Sequence, residues 1–149
     1  TQRNLYVGRP GELAPPAGIQ AASKLGNRWQ DILRREFHPG RTGNQVFAAA
    51  MAAREGIDAM SYCHSIGFYG HGSGPVVGMY DNQGFVVGSG EKVLYNNTCY
   101  ALESNVKTPI PEWNGQIACV MQEETIVLRD GKTYFLGDDR ERLYFLPTE

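Results

Sequence analysis

Ile117-Ala118-Cys119-Val120-Met121-Gln122-Glu123-Glu124-Thr125-Ile126-Val127-Leu128, then Arg129-Asp130-Gly131, then Lys132-Thr133-Tyr134-Phe135-Leu136, is the stretch from which the fold is read. Asp-Gly readily takes the two positive-φ positions of a tight hairpin, so runs 117–128 and 132–136 are predicted as antiparallel strands. A third strand-like run, 98–106, precedes them.

Upstream, residues 62–92 carry glycines at 67, 70, 72, 74, 78, 84, 88 and 90. That density predicts loops with tight turns and a backbone that approaches something closely. Before the loops, Ile19, Ala22, Trp29, Ile32 and Leu33 recur at helical spacing, predicting a helix over about 15–36. Pro15 and Pro16 suit its first turn, where an N–H has no partner to lose. Gly26 costs that helix about 1 kcal/mol relative to alanine, which points to close packing at that position. Thr42-Gly43-Asn44-Gln45 has the form of a capping box opening a second helix, stopped near Gly56. Residues 3–9 read as a short strand with Leu5 and Val7 on one face. A strand, two helices, glycine-rich loops and a strand-rich end give an α+β fold with an antiparallel sheet.

The 149 residues suit one domain over 1–149, with an ordinary 42% hydrophobic and 20% charged composition. A net charge of −2 gives no reason to expect nucleic acid or an anionic membrane as partner. No apolar run approaches the roughly 20 residues that span a bilayer. Cys63, Cys99 and Cys119 show no CxxC spacing and read as buried thiols, which fits a reducing, cytoplasmic compartment. The chain opens at Thr1 without an initiator methionine or signal peptide, as a segment of something longer would.

His64 and His71, seven positions apart among glycines, are candidates to share one pocket; the plainer reading is two partly buried histidines satisfied by carbonyls. Glu103 falls on the strand face opposite Leu102. Carboxylates within apolar strands, such as Glu103 and Glu123, are costly unless they meet a cation or lie on a solvated face. Alternation sends Glu124 to the face opposite Glu123, and that face is read as solvated. One histidine and two glutamates form a sensible set for Mn, Fe, Co or Zn. Such a site lowers the pKa of a bound water and polarises a carbonyl. Among other conspicuous residues, Trp113 reads as covering a sheet edge, with the wall of a pocket as the alternative. The run Asp138-Asp139-Arg140-Glu141-Arg142 reads as a solvated turn, and His38 as a structural residue at a helix end.

Three segments then carry a resemblance. Cys63-His64-Ser65-Ile66-Gly67-Phe68-Tyr69-Gly70-His71-Gly72 resembles the GHGIG-x-x-x-H element of the pita-bread metallopeptidases, the family of aminopeptidase P, prolidase and methionine aminopeptidase. Tyr100-Ala101-Leu102-Glu103 is similar to its strand bearing the fourth metal ligand. Glu123-Glu124-Thr125-Ile126-Val127-Leu128 with Asp130-Gly131 is similar to its last ligand strand and hairpin. The three occur in the family's order.

The resemblance implies a half of the pita-bread fold ending in a curved antiparallel sheet, and a site for two divalent ions. His64 and Glu103 would bind one ion and Glu123 would bridge both. Glu103 would also shuttle a proton, and His71 would hydrogen-bond the scissile peptide of the substrate. The implied activity is that of an exopeptidase removing N-terminal residues, Xaa-Pro bonds among them, by attack of a metal-bound hydroxide.

The departures are specific. The family's two aspartate ligands precede a segment that resembles Thr1-Gln2-Arg3-Asn4-Leu5-Tyr6-Val7-Gly8, so both are expected from a missing N-terminal half, a partner chain or a second copy in a homodimer. Alone, the chain is expected to be inactive. Met60 and Met121 stand where these enzymes usually carry histidine and arginine, and Ser104 replaces a proline. The competing readings are a non-catalytic pita-bread module that binds peptide or protein, and a creatinase-like hydrolase without metal.

Overall fold

The computed structural model describes residues 1–148. A strand β1 (Leu5–Val7) leads into helices α1 (Ala17–Arg35) and α2 (Gly43–Ala53). Strands β2 (Ala59–Ser61), β3 (Cys63–Gly67), β4 (Gly70–Val77), β5 (Thr98–Ile110), β6 (Gln116–Arg129), β7 (Lys132–Phe135) and β8 (Tyr144–Leu146) follow. Strands β4-β3-β5-β6-β7 form an antiparallel sheet in that order, with β2 also paired to β5. β1 and β8 form a separate parallel pair, Leu5 opposite Tyr144. The architecture is α+β, two helices on one face of an antiparallel sheet.

Alternation along β5 and β6 decides which side chains meet the helices. Tyr100, Leu102, Val106, Ile110, Ile126 and Leu128 are buried against Trp29 and Leu33 of α1, with Val46 and Ala50 of α2 in the same core. Fully burying a side chain of this size contributes roughly 1.5–3 kcal/mol, so this face anchors the long β5–β6 pair. Polar latches fix the helix on the sheet: Trp29 Nε1 donates to Met60 O at 3.0 Å, and Gln30 Nε2 to Leu102 O at 3.2 Å. At Gly26 a methyl group would overlap the side-chain amide of Gln122, which is the close packing its position foretold. The capping box of α2 is present, with Gln45 N donating to Thr42 Oγ1 at 3.2 Å and Thr42 N to Gln45 Oε1 at 2.9 Å.

Several expectations give way. The first half of the glycine-rich stretch is a hairpin, β3 and β4, held by pairing rather than propensity, while residues 78–92 carry the expected turns. Gly67 pairs with Gly70 on a strand so close that a Cβ on Gly67 would stand 3.1 Å from Gly72 Cα. β5 and β6 run longer than read, joined by a Pro111–Trp113 turn with Asn114 at φ 53°. Leu5 and Val7 do share a face of β1, but that face is exposed. Of the thiols only Cys63 is buried; Cys99 is half-buried and Cys119 exposed. Glu124 does lie opposite Glu123, yet it is 3% exposed rather than solvated, because Arg3 arrives from the far end of the chain to pair with it. Residues 138–142 are likewise more than a solvated turn: Arg140 pairs with Asp31 at 3.0 Å and covers the Phe135 ring at 4.3 Å. Trp113 packs against the core edge as expected.

Candidate metal centre

The face of the sheet away from the helices carries Glu103 and Glu123. On β5 it presents Ala101, Glu103 and Asn105; on β6 it presents Met121, Glu123 and Thr125. Register sets Glu103 directly opposite Glu123, and Ala101 opposite both Thr125 and, on β3, His64. The small Ala101 leaves room for the imidazole beside the two carboxylates. His64, Glu103 and Glu123 each offer one donor atom, and the three atoms lie within 4.8 Å of one another. His64 Nε2 stands 3.8 Å from Glu103 Oε2.

His64 Nδ1 is 3.1 Å from Ser65 O. A proton on Nδ1 donating to that carbonyl leaves the Nε2 lone pair turned toward the carboxylates, as a ligating histidine requires. Ser65 in turn accepts from Gly74 N at 2.8 Å, pinning β4 to β3 behind the imidazole. His71, across the hairpin, stacks on His64 with ring centroids 4.0 Å apart, and Tyr62 flanks both rings. His71 is exposed, on the open side of the cluster.

Burial first, and then the neighbouring Glu123, raise the pKa of Glu103 above the usual carboxylate range. His64, His71 and the side chain of Gln2 pull it partly back. Like charges placed directly opposite across a strand pair are destabilising, and a cation between them removes that conflict. The donor spacing suits one: two bonds of about 2.1 Å to a transition metal put its ligands up to roughly 4.2 Å apart, a small contraction from what is seen here. One imidazole and two carboxylates therefore fit a divalent ion of the Mn, Fe, Co or Zn type. Asp31, Asp58 and Asp81 take no part in this cluster; Asp31 is held by Arg140.

Gln2 and Arg3 were not legible as site residues. Gln2 forms an antiparallel bridge with Glu123, Gln2 N donating to Glu123 O at 2.9 Å. The one available signal was a pair of opposite charges, Arg3 and Glu124, each in a strand-like context without a local partner.

No sequence-family model matches the chain, and no curated protein matches it by sequence. Its fold is similar to that of solved structures. The X-Pro aminopeptidase from Thermotoga maritima has TM-score 0.62 and 17% identity over 89% of this chain and 35% of its own. The prolidase from Pyrococcus furiosus has TM-score 0.58 and 18% identity over 85% of this chain and 34% of its own. The methionine aminopeptidase from Rickettsia prowazekii has TM-score 0.56 and 12% identity over 82% of this chain and 53% of its own. The chain thus spans about a third of the length of the first two and about half of the third. No helix among the described residues is long and apolar enough to cross a membrane. The chain has the fold of the C-terminal part of the pita-bread peptidases.

Proposed function

We propose that the chain is the C-terminal part of a metal-dependent exopeptidase that hydrolyses N-terminal peptide bonds, Xaa-Pro bonds among its candidates. The observation that carries this reading is Glu103 opposite Glu123 with His64 Nε2 beside them. A module that merely binds peptides has no use for two half-buried carboxylates forced together, which disfavours the non-catalytic reading.

His64, Glu103 and Glu123 would hold the metal. A divalent ion bound there supplies a Lewis acid for a carbonyl oxygen and lowers the pKa of water. Glu103, whose carboxyl already favours its proton more than a free glutamate does, is suited to take a proton and return it to the leaving amine. His71, exposed beside His64, would donate a hydrogen bond to the substrate as charge develops. Two further carboxylates, from another segment or from a partner chain, would complete a two-ion site. With three donors alone, we expect weak metal binding and no turnover.

The test is hydrolysis of Xaa-Pro and other short peptides with Mn²⁺ or Co²⁺ by the protein in its full-length context. Turnover that disappears in Glu123→Gln with folding unchanged supports the reading. Full turnover in that variant, or no metal binding by the wild type, overturns it.

A further inference from the structure

Three consecutive residues of the N-terminal segment are each fastened to β6 around Glu123. Gln2 exchanges backbone hydrogen bonds with Glu123 at 2.9 and 3.4 Å. Arg3 Nη1 pairs with the Glu124 carboxylate. Asn4 Nδ2 donates to Met121 O at 3.1 Å. Beyond Asn4 the segment leaves β6 to pair with β8.

Alternation divides these fastenings between the two faces of the sheet. Gln2 lies on the face of Glu103 and Glu123, where its side chain approaches the Glu103 carboxylate and favours its charged form. Arg3 lies on the other face with Glu124. Its second nitrogen, Nη2, reaches Asp139 Oδ1 at 2.8 Å, and Tyr144 Oη donates to Asp139 Oδ2 at 2.8 Å. Arg3 therefore ties together the N-terminal segment, β6 and the loop before β8. A planar guanidinium can bridge two carboxylates in fixed directions, which a lysine ammonium cannot do.

The two backbone bonds at Gln2 lie at the edge of β6 and the Asn4 bond to Met121 O is exposed, whereas Arg3 pairs with a buried carboxylate and is the shielded fastening of the three. We propose that Arg3, acting through Glu124 and Asp139, is a positioning residue for the candidate metal centre: it fixes the register of Gln2 on Glu123, and with it the direction of both site carboxylates. The inference rests on the metal reading above, and it touches residues that sit behind the donors rather than among them.

Calorimetric titration of the protein in its full-length context with Mn²⁺ alone, beside thermal melting without metal, tests it. Arg3→Met is expected to weaken Mn²⁺ binding by about tenfold or more, the usual scale for loss of an outer-shell partner. Because that variant strands a buried carboxylate, the double variant Arg3→Met/Glu124→Gln is measured beside it. The double variant is expected to regain much of the melting temperature and not the affinity, while Arg3→Lys regains only part of the affinity. Affinity that simply follows melting temperature across the set, or wild-type affinity in the double variant, overturns the positioning role and leaves the metal site standing. A wild-type protein that binds no Mn²⁺ overturns both.

Discussion

Glu103 and Glu123 face each other across the β5–β6 pairing, both about four-fifths shielded from solvent. Nothing in strand packing asks for this: directly opposed like charges are destabilising even at ordinary strand sites. Replacing one of them with its neutral isostere should therefore help the metal-free fold and harm metal binding. Glu103→Gln is expected to raise the melting temperature in chelator while abolishing the stabilisation that Mn²⁺ gives the wild type. Melts with and without the ion check both halves.

Proton competition should show in the same binding. Glu103 holds its proton at higher pH than a free glutamate, chiefly through burial and then through Glu123. An ion must displace that proton, so Mn²⁺ affinity is expected to rise with pH through the titration of Glu103 and to level off above it. Without metal the sign reverses. The native state binds more protons than the unfolded chain between the ordinary glutamate pKa and the raised one, so this group's contribution to stability falls as pH rises across that window. Glu124, raised mainly by burial, adds in the same direction. Isothermal titrations and melts over a pH series read both slopes.

The three thiols should react in order of exposure. Burial pushes the Cys63 thiol up to about 12, and Cys119 is exposed. Since the thiolate is the nucleophile, iodoacetamide at pH 8 is expected to modify Cys119 first, Cys99 more slowly and Cys63 only after unfolding. Peptide mapping by mass spectrometry against time gives the order.

Gly26 separates helix propensity from packing. Alanine there gains about 1 kcal/mol of propensity. Its methyl group would collide with the Gln122 amide, which is buried and donates to Asn27 Oδ1 at 3.0 Å. Overpacking of this kind costs about 1–3 kcal/mol. Gly26→Ala is therefore expected to destabilise by up to about 2 kcal/mol in urea melts, where a surface helix position would gain.

Much of this was legible before the structure. Helical periodicity gave α1, the Thr42–Gln45 box gave the start of α2, and Asp130-Gly131 gave the β6–β7 hairpin, because each signal is local. Strand alternation put Glu103 opposite Leu102 in facing and separated Glu123 from Glu124. What stayed hidden depends on pairing across the chain. The glycines of β3 and β4 have no strand propensity and are held by neighbours; β1 meets β8 from opposite ends of the sequence; Arg3 buries Glu124 across 121 positions. Within the candidate site the donors could be named from motifs, but their convergence rests on the Glu103–Glu123 register, which one slipped residue would have destroyed.

Crystals of the chain soaked in Mn²⁺, with diffraction recorded at the manganese absorption edge, test the central claim most directly. The account predicts an anomalous peak between His64 Nε2 and the carboxylates of Glu103 and Glu123, within bonding distance of all three. Fully soaked crystals with no peak there, or with manganese only elsewhere on the chain, would contradict it.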